Sequence, residues 1–473
     1  MRRNLSLTLL ALLVHSLWAL TIAVPVDWDP RYYGAVARHI AAGEGAITAA
    51  IWNLTYLPES LPFPADIHWM PLPSRVLLPG VWLWPAHGDQ ATTVLLAALW
   101  APIAASLARR LYDREDLAWA AGLCAIAGGA YARFLSTPDS IALYGLIGGL
   151  SWWAMDRGRP FTLVLLAFAA GLCRGDGALL GLCLAAGWRA GRPVPRLALA
   201  AAGLAANGLW LLRNLWRFGD AALAARAAAT GALDYTAFAR GEVLAPSLAE
   251  RGAALLAGLP GLALLAALIG VFVLPWPALW GAWRARERPW VRAAALYGLL
   301  MPLALLFGAP AVGGSGSVFR SSAALFPVMC VLAVGGLDAL GALGAARRGY
   351  PRALVLALGV GAFCLSSAAV GLRNWQLRPQ APDPCPELAT LAPGTVVFAA
   401  DPLAVESRCG RPAVLLPRGL SPERAAALAA RYDIRAALPG DPRWDAGGVA
   451  ALPDDARRSL PGWVQEGRLL RAQ

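Results

Sequence analysis

Nine apolar stretches, at 5–24, 91–111, 117–135, 139–155, 197–216, 254–282, 292–309, 321–346 and 352–371, have the length of a membrane crossing. No other feature constrains the fold as strongly. In lipid a backbone must satisfy its own hydrogen bonds, so such runs fold as helices. Composition agrees. Of 473 residues 58% are hydrophobic and 15% charged, with a mean hydropathy of +0.53. A polytopic membrane protein has these values and a soluble globular chain does not.

The region 160–189 is ambiguous, because Arg174-Gly175-Asp176-Gly177 interrupts it. Loop charge decides between one span and two. The net charge of +12 comes from Arg alone, with no Lys in the chain. With the N-terminus inside and 160–189 folded as a hairpin, Arg2/Arg3, Arg109/Arg110/Arg114, Arg157/Arg159, Arg189/Arg192/Arg196, Arg284/Arg286/Arg288 and Arg347/Arg348/Arg352 all fall on inner loops. A single span would move the later clusters outside, against the positive-inside rule. The hairpin gives about eleven spans, with a retained signal-anchor helix first and the C-terminus outside. The Arg residues punctuate apolar runs, so the charge sets topology and gives no basis for nucleic-acid binding. The 20 Trp, many near run ends, fit interfacial belts.

In this orientation the polar motifs share one face. The long outer loop, about 25–90, holds Asp27, Asp29, Asp66 and His68. It should carry a surface helix over Gly34–Gly43, with Pro30 in its first turn, and a second near 74–84. Other outer turns contain Thr137-Pro138-Asp139-Ser140, Arg174-Gly175-Asp176-Gly177, Arg213-Asn214-Leu215-Trp216-Arg217 and Gly313-Gly314-Ser315-Gly316-Ser317-Val318-Phe319-Arg320. Carboxylates at a membrane edge are costly unless paired or used. Arg residues converging there suit an anionic lipid headgroup, because a planar guanidinium pairs with two phosphate oxygens. The polar tail reads as a small extracytoplasmic α/β domain over 373–473, beside a membrane domain over 1–372. Thr395–Ala399, Arg411–Pro417 and Ile434–Leu438 are its candidate strands, and Ser421-Pro422 opens a helix reaching Tyr432. Cys385 and Cys409 can pair in that compartment. The other five Cys lie in or beside apolar runs as packing residues.

The series Asp29-x-x-Tyr32-Tyr33-x-x-x-Ala37-Arg38, Ile51-Trp52-Asn53, Leu61-Pro62-x-Pro64 and His68-Trp69-Met70-Pro71-Leu72-Pro73 resembles bacterial GT-C-type membrane glycosyltransferases. The group is that of the protein O-mannosyltransferases and aminoarabinose transferases. Thr137-Pro138-Asp139-Ser140, Arg174-x-Asp176-Gly177, Leu211-Leu212-Arg213-Asn214 and Gly316-Ser317-x-Phe319-Arg320-Ser321 extend the resemblance over most of 1–370. Pro30-Arg31 matches the aminoarabinose-transferase pattern only in part.

The resemblance implies a GT-C-like fold in the bacterial inner membrane. It implies transfer of a sugar from a polyprenyl-phosphate donor to a glycan, lipid or protein acceptor outside. A first-loop carboxylate, Asp29 ahead of Asp27, would serve as general base in an inverting displacement. Arg174, Arg213 and Arg320 are candidates for the leaving phosphate, set against snorkelling at helix ends. Tyr32, Tyr33, Arg38 and His68 are further substrate-binding candidates. Asp139 and Asp176 stand where either helix capping or substrate contact would place them. No metal site is assigned, although a divalent cation fits the chemistry. The rival reading is a transporter or flippase of a lipid-linked or anionic substrate. Such proteins carry repeats and mid-span charges, whereas here no repeat is found and the charges sit at helix ends.

Overall fold

The computed structural model describes residues 2–22, 27–188, 193–221, 235–242, 247–271, 273–308, 317–348, 351–377, 383–440 and 451–472. Val26, Arg189, Arg192 and Gly313-Gly314-Ser315-Gly316 lie outside them. An apolar helix, α1 (Arg2–Leu20), is followed by α2 (Trp28–Ala41). The first loop then supplies β1 (Ile47–Thr48), β2 (Ala50–Ile51), β3 (Phe63–Pro64), α3 (Leu72–Val76) and α4 (Leu78–Leu83). The bundle continues with α5 (Gly88–Ala98), α6 (Trp100–Tyr112), α7 (Glu115–Ala127), α8 (Ser140–Asp156), α9 (Pro160–Cys173), α10 (Gly177–Gly187) and α11 (Pro193–Phe218). After α12 (Tyr235–Ala239) come α13 (Leu248–Ile269), α14 (Pro275–Arg284), α15 (Pro289–Gly308), α16 (Val318–Ser321), α17 (Phe326–Arg348) and α18 (Arg352–Leu377). The tail holds α19 (Cys385–Leu388), β4 (Val397–Ala399), α20 (Pro402–Cys409), β5 (Ala413–Leu415), α21 (Pro422–Tyr432), β6 (Ala436–Leu438), α22 (Pro453–Ser459), β7 (Val464–Glu466) and β8 (Leu469–Arg471).

Among the described residues, seven helical segments are long and apolar enough to cross a membrane. The chain is a multi-pass membrane protein. The region 160–189 forms two short apolar helices, α9 and α10, packed on each other around a tight turn. Gly177 makes that turn possible, since a Cβ there would stand 2.0 Å from the Ala170 carbonyl oxygen. One expected span carries a local irregularity and two others stop short. Pro102 removes an N–H and crowds the carbonyl four residues back, so the 91–111 run is interrupted at Leu99, between α5 and α6, while remaining one segment of spanning length. The 117–135 run stops at Ala127, where Gly128 and Gly129 take positive φ of 75° and 55°. Short 3-10 turns continue it. The 254–282 run divides at Gly270, ahead of Pro275 and Pro277.

The surface helix also begins earlier than the sequence suggests. It runs from Trp28, so Asp29 lies inside its first turn beside Pro30, a position where proline costs nothing. Strands β4, β5 and β6 are parallel, with β8 and β7 added antiparallel. Ser421 caps α21, its hydroxyl accepting from the Arg424 N–H at 3.3 Å. The first loop contributes β2 to the edge of this sheet, parallel to β5, giving the order β2-β5-β4-β6-β8-β7. Cys385 and Cys409 form a disulfide that ties α19 to the end of α20.

Helix α2 lies between the bundle and the tail. It packs on α20, where buried Arg31 pairs with Asp401. Arg38 donates to Asp89 at 2.9 Å and to the Ser407 carbonyl at 3.4 Å. His39 stands between two carboxylates, Glu406 at 3.1 Å and Glu44 at 2.5 Å. Hydrogen bonding to Glu406, and then to Glu44, raises its pKa above 6.5 against the opposing effect of burial. A raised pKa means that the protonated ring is the stabilising form. Its contribution is complete below the unfolded value near 6.5 and disappears as pH rises through the higher folded value. The contact between α2 and the tail should therefore loosen at alkaline pH. Amide protection in α2, taken relative to the intrinsic base-catalysed rate at each pH, should fall there, and His39→Gln should remove that fall. Equal pH profiles in both proteins would contradict it.

Candidate active site at the mouth of the bundle

The site forms where four helix ends meet. Gly148 lets α8 press against the 3-10 turn 322–325, since a Cβ there would stand 2.4 Å from the Ala324 carbonyl oxygen. Trp152 locks the contact by donating to that same oxygen at 2.8 Å. The Tyr131 hydroxyl donates to the Phe319 carbonyl at 2.7 Å, fixing the residue before Arg320. These contacts set Arg320 opposite the start of α8 and the first turn of α2.

Arg320 bridges two carboxylates through one nitrogen. Its Nε lies 3.0 Å from Asp29 Oδ2 and 3.0 Å from Asp139 Oδ2. Asp139 is fully buried, and its other oxygen accepts from the Ile141 N–H at 3.3 Å and the Ser140 hydroxyl at 3.1 Å. Asp139 is thus the helix cap of α8 and at the same time a partner of Arg320. The Asp29 side chain keeps 21% exposure. Burial pushes its carboxyl above the usual range; Arg320 pulls it back, while Asp139 raises it again. Tyr33 is buried beside them, and burial followed by the two aspartates drives its phenol well above 10. Asp27, just before α2, lies near Arg31. Burial draws that guanidinium down to about 10, with Asp27 opposing.

A second guanidinium completes the cluster. Arg174 donates through Nε to Asp176 at 2.9 Å and Ser321 at 3.2 Å, and through its terminal nitrogens to Ser140 at 3.4 Å and the Ser317 carbonyl at 3.3 Å. Asp176 in turn accepts from the Tyr297 hydroxyl at 2.7 Å and the Tyr144 hydroxyl at 3.1 Å. Both tyrosines lie inside apolar runs and are not among the candidates that the sequence singles out. The available signal was a polar tip within a spanning helix, which lipid does not tolerate unpaired. Asp29, Tyr33, Asp139, Arg174, Asp176 and Arg320 therefore come together from four separate parts of the chain.

The other candidates stand elsewhere. Arg213 donates to the Ala65 carbonyl at 2.5 Å and the Asp66 carbonyl at 3.2 Å, so it holds first-loop backbone. Asp66 pairs with Arg75 at 2.6 Å. The Tyr32 ring stacks on Trp69 at 4.1 Å, and its hydroxyl accepts the Asp66 N–H. His68 stands edge-on to Trp52 at 5.1 Å, and burial lowers its pKa to about 4, leaving a neutral ring at physiological pH. Arg38 is engaged with Asp89 and Ser407 as described. For a metal, the one grouping of suitable side chains among the described residues is Asp383, Cys385 and Cys409. Both of its sulfurs are spent in the disulfide.

No protein-family model and no curated protein matches the sequence. Solved structures do match. ArnT from Cupriavidus metallidurans bound to undecaprenyl phosphate aligns with a TM-score of 0.52 and 14% identity, over 90% of this chain and 88% of that one. The same protein in its apo state gives 0.49 and 15%, over 97% and 88%. The archaeal oligosaccharyltransferase AglB from Archaeoglobus fulgidus, in complex with an inhibitory peptide and a dolichol-phosphate, gives 0.49 and 14%, over 92% and 69%. The match to ArnT establishes the fold, a helical membrane bundle like that of ArnT with a small sheet unit at its C-terminal end.

Proposed function

We propose that this protein transfers a sugar from a polyprenyl-phosphate donor to an acceptor at the extracytoplasmic face of a bacterial inner membrane. The observation that carries this reading is Arg320 shared between Asp29 and Asp139. One nitrogen stands 3.0 Å from both carboxylates, and among the described residues the two terminal nitrogens of Arg320 make no hydrogen bond. A planar guanidinium with that edge open suits a phosphate. Arg174, held by Asp176, stands behind it as a second positive charge. The ArnT structure sharing this fold contains undecaprenyl phosphate, which supports a lipid phosphate as the ligand class.

In the proposed step, ionised Asp29 accepts the proton of an acceptor hydroxyl as that oxygen bonds to the anomeric carbon. The bond from this carbon to the phosphate oxygen breaks, and polyprenyl phosphate leaves with the electron pair. Arg320 and Arg174 offset its growing charge. Attack opposite the leaving group inverts the anomeric centre. Tyr33 packs beside the base and helps keep water away. Incubating the purified protein with polyprenyl-phosphate sugars and a mixed acceptor extract should release free polyprenyl phosphate. Absence of release with every carrier would remove the transferase reading and favour a transporter.

The orientation belongs to the same proposal, with the N-terminus inside and the tail outside. The Arg-rich loops support it, as does a disulfide in the tail, since disulfides persist in oxidising compartments. A single Cys introduced at exposed Arg435 should react with a membrane-impermeant thiol reagent on intact cells. Protection until the membrane is broken would reverse the topology.

A further inference from the structure

A groove at the other end of the bundle has the chemistry of a phospholipid site. Helices α14 and α17 are pressed together backbone to backbone. A Cβ on Gly281 would stand 1.9 Å from the Leu332 carbonyl oxygen, and one on Gly336 would stand 2.0 Å from that of Pro277. Beside this seam opens a shallow groove lined by Trp280, Trp283, Arg284, Arg286, Ala339, Ala342 and Leu343. Its floor is small and apolar, and its walls are indole rings that leave Trp280 44% and Trp283 63% exposed. The Arg286 guanidinium lies 4.5 Å over the Trp283 ring, held by a 2.9 Å bond to the Trp283 carbonyl. Arg284, in the last turn of α14, makes no hydrogen bond or ion pair among the described residues. The nearby Glu287 is held by Arg292 at 2.5 Å and lies 3.9 Å from Arg286, a long and exposed pair that leaves most of the Arg286 charge to the groove.

We infer that this groove binds one anionic glycerophospholipid, its phosphate between Arg284 and Arg286 and an acyl chain along Leu343 and the small residues of α17. Charge selects the occupant. Two guanidinium groups face an otherwise apolar trough, and Trp at that level marks the boundary where headgroup meets hydrocarbon. A zwitterionic lipid gains less there, because its own cation competes with the arginines. From Arg320 the groove lies on the order of 30 Å along α17, taking 1.5 Å per helical residue. It is therefore separate from the proposed transfer site.

Native mass spectrometry of the purified full-length protein, titrated with phosphatidylglycerol or phosphatidylcholine, tests the assignment. One phosphatidylglycerol should remain bound at activation energies that strip phosphatidylcholine. The Arg284→Gln/Arg286→Gln protein should bind it on the order of tenfold more weakly, as expected for losing two charges beside an anionic headgroup. The corresponding double Lys variant should keep most of the binding, and Trp280→Ala should weaken it in a chain whose thermal unfolding is unchanged. Equal retention of both lipids, or equal binding by the double Gln variant, would overturn the proposal. Displacement by inorganic phosphate at matched concentration would also overturn it, since the groove would then be a simple anion site. Preferential displacement by polyprenyl phosphate would assign the groove to the carrier instead.

Discussion

Replacing Asp29 by Asn is expected to lower sugar transfer by about 10²–10⁴-fold, the contribution of a well-placed general base. The change keeps the shape of the side chain and removes one charge. Arg320 retains Asp139 at 3.0 Å, so the guanidinium stays in place and the donor should still bind. The loss belongs in turnover and not in donor affinity. The wild-type pH profile carries the same signature. As the proposed base Asp29 has to be ionised, and burial places its carboxyl above the usual range. Activity should therefore climb with pH through a limb above about 4, the ordinary carboxylate value, and the Asn variant should lack that limb. Near-normal turnover in Asp29→Asn would move the base to Asp27 or Asp139.

Arg320→Gln should be the more damaging change. It leaves Asp29 and Asp139 facing each other with no cation between them, and removing one partner of a buried ion pair costs about 3–5 kcal/mol. That energy would appear partly as lower thermal stability and partly as weaker donor binding, with KM for the donor raised on the order of a hundredfold. One of the two carboxylates should then hold a proton at neutral pH, a further loss to turnover. Arg320→Lys separates these effects. It restores the charge without the fork, so folding should recover more fully than donor affinity. If both variants kept the parental KM, Arg320 would be a structural ion pair and the phosphate site would lie elsewhere.

Much of this arrangement could be read from the chain, for physical reasons that differ by residue. The hairpin at 160–189 was legible because Arg on the wrong side of a membrane is costly, so loop charge fixes the parity of the spans. Arg174, Asp176, Asp139 and Arg320 were legible because each interrupts an apolar run at a helix end, where only a paired or working charge persists. Which of the arginines would meet the carboxylates was not. Arg213 looks equivalent in sequence, yet it points to the first-loop backbone. The choice depends on the close approach at Gly148 and the Tyr131 and Trp152 anchors, contacts between residues far apart in sequence. The strand at Ala50–Ile51 was hidden for a related reason. Two residues carry no periodicity, and they become a strand only because β5 offers an edge. Tyr144 and Tyr297 read as ordinary apolar filler until their hydroxyls are seen on Asp176.

A single-turnover assay with labelled polyprenyl-phosphate sugar tests the central claim most directly, reading bound donor and free polyprenyl phosphate in the same sample. The account predicts both signals in the wild type, bound donor without release in Asp29→Asn, and neither signal in Arg320→Gln. Release at the wild-type rate from either variant would contradict it.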